Sequence, residues 1–271
     1  MISESIDRQL IERISAALVA ASTSLARFVP GDTAFQYKSS DDPITEADAA
    51  VNEVLRRILV QDGEGWLSEE TTDDFSRMSH SRVWVVDPLD GTREFVKGIP
   101  EWCVSVGLVE DNKAVAGGIC NPVTGETFLG SLRSGVMYNG MPVCVSRKQG
   151  IAGGVVLASR SEVQRGEWKR FEQAPFTVFP MGSVAYKLAR VAAGLADATF
   201  TLVPKHEWDV AAGVALVEAA GGFVCTSTKM KLSFNNRLPL LPGLIAGAPG
   251  VRWELLNELD NAVRNDCTSN K

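Results

Sequence analysis

The residues best suited to chemistry are gathered in one segment, Asp87-Pro88-Leu89-Asp90-Gly91-Thr92, directly after the apolar run Val83-Trp84-Val85-Val86. Two carboxylates three residues apart, with a backbone carbonyl between them, are oxygen donors of the kind a hard divalent cation such as Mg2+ takes. Pro88 removes a backbone donor and stiffens the turn. Gly91 lets the chain approach a ligand closely, and a helix beginning near Thr92 would aim free N–H groups at an anion. Taken alone, the commoner reading of such a segment is a turn carrying solvated aspartates.

Further carboxylates stand near element boundaries. Glu69-Glu70 follows Trp66-Leu67-Ser68 and by itself reads as a surface charge pair. Asp209, in Trp208-Asp209-Val210-Ala211-Ala212-Gly213, falls at the start of a small-residue helix, where an aspartate caps free N–H groups; capping and metal ligation are compatible. Asp48 closes Thr45-Glu46-Ala47-Asp48, which has the form of a capping box. His206 lies close to the Asp209 motif and either lines a pocket or packs on the surface.

The elements that must position these groups follow from periodicity. Ile6, Leu10, Ile14, Leu18 and Leu25 recur at helical spacing over residues 6–28, opposite Asp7, Arg8, Glu12 and Arg13, which predicts an amphipathic helix. A polar turn-rich loop covers Lys38 to Pro43, and a second helix starts near Thr45 with Val51, Leu55 and Leu59 on its apolar side. Val83–Val86 reads as a buried strand. Cys103–Val109, Ala114–Cys120, Glu126–Leu132 and Val143–Val145 follow as an antiparallel meander turned at Asp111-Asn112, Gly125 and Asn139-Gly140. From about residue 148 strands and helices alternate: strands at Val155–Ser159, Thr177–Phe179, Ala198–Leu202, Gly222–Cys225 and Leu244–Gly247, helices at Glu162–Glu172, Ser183–Ala193, Asp209–Ala220 and Val251–Arg264. The expected organisation is an N-terminal α+β domain over 1–147 and a C-terminal α/β domain over 148–271, closely packed.

Composition narrows the partners. The 271 residues carry 27 Lys and Arg against 33 Asp and Glu, a formal charge of −6, which disfavours a polymeric nucleic acid. A small anionic substrate stays compatible if metal ions reverse the local field. No stretch reaches the ~18 apolar residues of a membrane span, and the N-terminus lacks the pattern of a secretory signal. Five widely spaced cysteines without a Cys-x-x-Cys pair fit neither a zinc site nor a disulfide framework; reduced thiols and a cytoplasmic location are expected.

The combination of Leu67-Ser68-Glu69-Glu70, Asp87-Pro88-Leu89-Asp90-Gly91-Thr92 and Trp208-Asp209-Val210-Ala211-Ala212-Gly213 resembles the Mg2+-dependent, lithium-inhibited phosphomonoesterases of the inositol monophosphatase superfamily, from about Lys38 to Gly250. The resemblance implies an α/β/α/β/α layered sandwich, with two or three Mg2+ ions on Glu69, Asp87, the Leu89 carbonyl, Asp90 and Asp209. It implies that Thr92 and Asp48 orient and deprotonate the attacking water, with Glu69 counted in the same catalytic set. Gly91 and Thr92 backbone groups would hold the phosphate, and Glu69, Leu89, Asp90, Gly91, Thr92, Lys187 and Asp209 would meet the substrate. Members are often homodimers.

Within the superfamily, three features resemble the 3′(2′),5′-bisphosphate nucleotidases: Arg93-Glu94-Phe95 after Thr92, Lys187 after Gly182-Ser183, and Leu202 seven residues before Asp209, where inositol enzymes usually have a glutamate. The spacing of Ser183 from Lys187 is more like the inositol enzymes. The implied substrate is adenosine 3′,5′-bisphosphate, cleaved to AMP and phosphate in sulfur metabolism. The alternatives are an inositol or other sugar-phosphate phosphatase, and a catalytically silent metal- or anion-binding module.

Overall fold

The structure is a computed structural model that describes residues 2–37 and 43–269. Residues 38–42 of the expected polar loop, and the side chain of Cys267, lie outside that description.

The apolar run before Asp87 is a strand, Arg82–Asp90, whose alternate side chains enter two different cores. Val83 and Val85 join one apolar cluster, Trp84 and Val86 another. A strand covered on both faces carries a continuous apolar run rather than an in–out alternation. The strand belongs to a seven-stranded sheet in the order Glu64–Ser68, Arg82–Asp90, Cys103–Glu110, Lys113–Asn121, Glu126–Ser131, Gly135–Tyr138, Met141–Val143. Its first pair is parallel and the rest are antiparallel. The hairpin turns take left-handed backbone where Asn or Asp allows it: φ is 47° at Asp111, 63° at Asn112 and 47° at Asn139.

Helices Ile2–Leu25 and Glu46–Leu59 pack against one face of this sheet with Trp84, Val86, Val104 and Val106. Helices Val184–Ala192 and Glu207–Ala219 cover the other face. Beyond them lies a five-stranded sheet, ordered Thr177–Met181, Val155–Ser159, Ala198–Thr201, Leu244–Gly247, Phe223–Thr226. Trp168, Phe171, Leu255 and Leu259 complete the packing against it, with Trp168 stacked on Phe200 at 4.3 Å. The layers are α/β/α/β/α, as the resemblance implies. The boundary at 147/148, which we keep as a proposal, falls between the two sheets.

Three local expectations need correction. Glu64–Ser68 is a strand, in a segment to which the periodicity assigned no element. The helix expected over Glu162–Glu172 is a short helix, Arg160–Gln164, and a separate 3-10 turn, Lys169–Phe171. Gly166, at φ 80°, takes a left-handed conformation that ends the helical path between them. The Arg82 strand continues past Asp87 to Asp90, with a register irregularity between the two aspartates.

The small-residue run Ala211-Ala212-Gly213 has a packing cause. A Cβ on Gly117 would lie 2.5 Å from the Ala212 carbonyl oxygen, and one on Gly213 would lie 2.4 Å from the Leu188 Cβ. The helix that carries Asp209 is thus pressed between the large sheet and its neighbouring helix, which fixes its axis. Among the described residues no helix is long and apolar enough to cross a membrane, and Cys103, Cys120, Cys144 and Cys225 are free thiols.

Candidate active site

Three ends meet at one cleft of about 430 Å3: the end of the Arg82–Asp90 strand, the start of the Glu207–Ala219 helix, and the residues after Glu64–Ser68. Glu69, Asp87, Leu89, Asp90, Gly91, Thr92, Lys187 and Asp209 all line it. Carboxylate oxygens of Glu69, Asp87 and Asp209 lie within 4.8 Å of one another and could hold a metal ion. The reactive segment is no solvated turn: Asp87 is only 2% exposed.

Each aspartate is aimed by its own local bonds. One Asp87 oxygen accepts the Leu89 N–H at 3.0 Å. Asp90 accepts both the Ser183 hydroxyl and the Ala185 N–H at 2.6 Å. Asp209 is not the cap itself but the third helical residue, reaching back to the His206 N–H at 3.0 Å. Asp48 does the same at its helix: Oδ2 accepts the Thr45 N–H at 2.8 Å and hydroxyl at 2.7 Å. Its Oδ1 faces the Thr92 hydroxyl at 3.4 Å, while that hydroxyl also lies 3.0 Å from the Leu89 carbonyl. Asp48 therefore reaches the cleft through Thr92. Gly91 caps the helix Thr92–Val96 at φ 99°, a conformation open to glycine at no steric penalty.

The electrostatics are those of a site built for cations. Burial first, then the charges of Glu69, Asp90 and Asp209, push the Asp87 carboxyl well above the usual range. Desolvation and then Asp90 and Glu69 do the same to Asp209. Burial also raises Asp90, against the hydrogen bond from Ser183. Crowding hard oxygen donors until they resist ionisation is unfavourable unless a compact multivalent cation compensates them.

The wall of the cleft is of opposite character. Lys187, Lys205, Arg93 and Arg160 line it, and the rings of His206 and Trp208 stack at 4.3 Å, nearly parallel. Lys187 is 4% exposed and donates to the carbonyls of Ser183, Gly182 and Met181 at 2.8, 3.4 and 3.5 Å. Burial pulls its ammonium down to about 8. Its hydrogen bonds hold the turn that presents Ser183 and Ala185 to Asp90. Leu202 packs against the central core. The sequence pattern pointed to Glu94 near the site but not to Arg160, Ser159 or Ser161, which no local pattern marks.

A second network braces the metal-facing elements. Arg77 is fully buried and donates to Asp73 at 2.8 Å, the Asn235 side chain at 2.5 Å and the Asn236 carbonyl at 2.9 Å. Glu207 accepts the N–H groups of Asn235 and Asn236 at 2.7 and 3.0 Å. The segment after Glu69 is so tied to the helix of Asp209 through one loop. Arg77→Met should lower unfolding stability by about 3 kcal/mol, the scale for breaking a buried charged network. Chemical denaturation measures it; a loss within 0.5 kcal/mol, the usual surface range, would show the network to be dispensable.

Residues 7–267 match the family described as the inositol monophosphatase family. An inositol monophosphatase of Mesembryanthemum crystallinum is 32% identical over 202 residues, 70% of this chain and 74% of that protein. The structure resembles the crystal structure of extragenic suppressor protein suhB from Bartonella henselae, with TM-score 0.79 at 28% identity over 93% of this chain and 98% of that one. It also resembles CysQ from Bacteroides thetaiotaomicron, with TM-score 0.72 at 27% identity over 88% and 96%.

Proposed function

The chain belongs to the inositol monophosphatase family and is a phosphatase of that superfamily, and on that premise we propose that it is a Mg2+-dependent 3′(2′),5′-bisphosphate nucleotidase. It cleaves the 3′-phosphate of adenosine 3′,5′-bisphosphate. The observation that carries the reading is the division of the cleft into a carboxylate floor and a wall of cations and stacked rings. A bisphosphate nucleotide brings a second anion and a flat base, and this wall complements both. Inositol instead presents a ring of hydroxyls that needs fixed acceptors; Leu202, directed into the core, offers none.

Glu69, Asp87 and Asp209 would hold Mg2+, with Asp90 and the Leu89 carbonyl completing the oxygen set. Bound there, the ions supply positive charge against the phosphate oxygens and the leaving alkoxide, and acidify water. The chain's own part is positioning and proton transfer. The Gly91 and Thr92 backbone, at the start of Thr92–Val96, receives the phosphate. The Thr92 hydroxyl orients the attacking water, and Asp48 takes its proton through Thr92. The water oxygen bonds to phosphorus, the bond to the 3′-oxygen breaks, and that oxygen leaves with a proton from solvent.

A second reading, an inositol-phosphate phosphatase, is favoured by the name of the Mesembryanthemum relative. A phosphate-release panel separates the two. The bisphosphate nucleotide should exceed inositol 1-phosphate in kcat/KM by at least about tenfold, equivalent to ~1.4 kcal/mol. Equal or faster turnover of inositol 1-phosphate would reject the nucleotide assignment and leave the superfamily.

A further inference from the structure

We infer that Arg160, braced by Glu101, holds the second, non-reacting phosphate of the substrate and so selects doubly phosphorylated ligands; the inference rests on the nucleotidase reading. Lys187, the cation that the sequence put forward for a substrate contact, has its ammonium occupied by three carbonyls. Arg160 differs. It lines the cleft with a side chain 30% exposed, and one arm of its guanidinium lies 2.5 Å from Glu101 Oε2. Its Nε is buried without an acceptor among the described residues. A guanidinium carries five donors in a planar fork, matched to a phosphate by paired hydrogen bonds. One carboxylate oxygen leaves most of that fork unused.

Glu101 makes this cation rigid. The oxygen that takes Arg160 also accepts the Gly182 N–H at 2.7 Å. Gly182 has no room for a side chain, since a Cβ would lie 2.5 Å from Glu94 Cγ and 2.6 Å from the Glu101 carbonyl oxygen. The next residue, Ser183, donates to Asp90. Arg160, Glu101, Gly182, Ser183 and Asp90 form a continuous bonded path from the wall to the carboxylate floor. The cation is thereby held in fixed register with the place where the reacting phosphate sits. Much of the rotamer freedom that a long side chain loses on binding is already lost. A substrate with a single phosphate would leave the rest of the fork without an acceptor.

The test compares adenosine 3′,5′-bisphosphate with 3′-AMP, which has the same reacting phosphate and lacks the second. In Arg160→Gln, the ratio of kcat/KM for the bisphosphate over 3′-AMP should fall at least about tenfold from the wild-type ratio, mostly through KM, because the lost contact serves binding rather than the transition state. Arg160→Lys keeps the charge without the fork and should lose an intermediate amount; it carries the test if Arg160→Gln does not fold. On unmodified enzyme, AMP should inhibit at least about tenfold more tightly than adenosine, as a charge-assisted contact to the 5′-phosphate requires. A ratio unchanged in both variants, or equal inhibition by AMP and adenosine, overturns the inference while leaving the nucleotidase reading in place. Wild-type enzyme that does not prefer the bisphosphate over inositol 1-phosphate overturns both.

Discussion

Asp87→Asn is expected to remove turnover and, at the same time, to raise the melting temperature of the metal-free protein. Asp87 is buried, and its carboxyl is pushed well up by desolvation and by Glu69, Asp90 and Asp209. Folding without metal must therefore bear a crowded set of charges. Asn has nearly the same shape, and its carbonyl can still accept the Leu89 N–H. Each pKa unit of strain relieved is worth about 1.4 kcal/mol, which corresponds to roughly 2–4 °C in a chain of this size. The same substitution takes a charged donor from the cluster, and loss of even part of the several kcal/mol that metal ions supply lowers kcat by at least about 10²-fold.

The pH dependence has a definite sign. An aspartate whose folded pKa is raised binds protons that the unfolded chain has already released, so its contribution to stability falls as pH rises. Metal-free wild type should lose stability as pH increases from about 4, where an ordinary aspartate titrates, through the raised folded values; Asp87→Asn should lose less. Adding Mg2+ should raise the wild-type melting temperature more than the variant's. Calorimetry with and without chelator reads all three effects. A metal-free variant that melts below wild type, or one that keeps its turnover, would refute the account of Asp87.

Asp48→Asn carries the second large effect. One oxygen of Asp48 serves the helix start and the other faces Thr92. The substitution should cost about 1 kcal/mol of stability for the weakened capping box at Thr45 and lower kcat by about 10²-fold or more for a positioned base. Thr92→Ala should lower kcat similarly, and the double variant should fall well short of the product, because the two act as a unit. Stopped assays at saturating substrate, paired with denaturation curves, separate the roles. Reduced stability with unchanged kcat in Asp48→Asn would leave Asp48 a partner of the Thr45 cap alone.

Much of the fold was legible because its signals are local. Asn139-Gly140 specifies a hairpin, and Tyr138 pairs with Met141 across it. The Val83–Val86 run marked a strand, though its two-sided burial hid which side chain faces which core. Glu64–Ser68 was not legible: it is an edge strand of five residues interrupted by Gly65, where a Cβ would lie 3.0 Å from the Arg77 Cβ. In the site, short-range spacing pointed to Asp87, Asp90 and Thr92. It could not show that Lys187 turns into backbone carbonyls, since that depends on the path of the preceding turn. Arg160 and Glu101 stand 59 residues apart, and Arg77 and Asn235 stand 158 apart. No periodicity relates such pairs, which meet where turns and connections outside the strands come together.

We propose that the Glu69, Asp87 and Asp209 carboxylates, within 4.8 Å of one another, assemble a cation site for phosphate-ester hydrolysis. The most direct measurement is phosphate release from adenosine 3′,5′-bisphosphate by exhaustively chelated protein, followed through a Mg2+ titration. No release above background is expected before Mg2+, and full recovery as it is added. Ca2+ should restore it poorly, because its larger and more flexible coordination shell departs from octahedral geometry. Full turnover by the chelated protein, or no release at any Mg2+ concentration from any phosphomonoester offered, would rule out a catalytic cation site on these carboxylates.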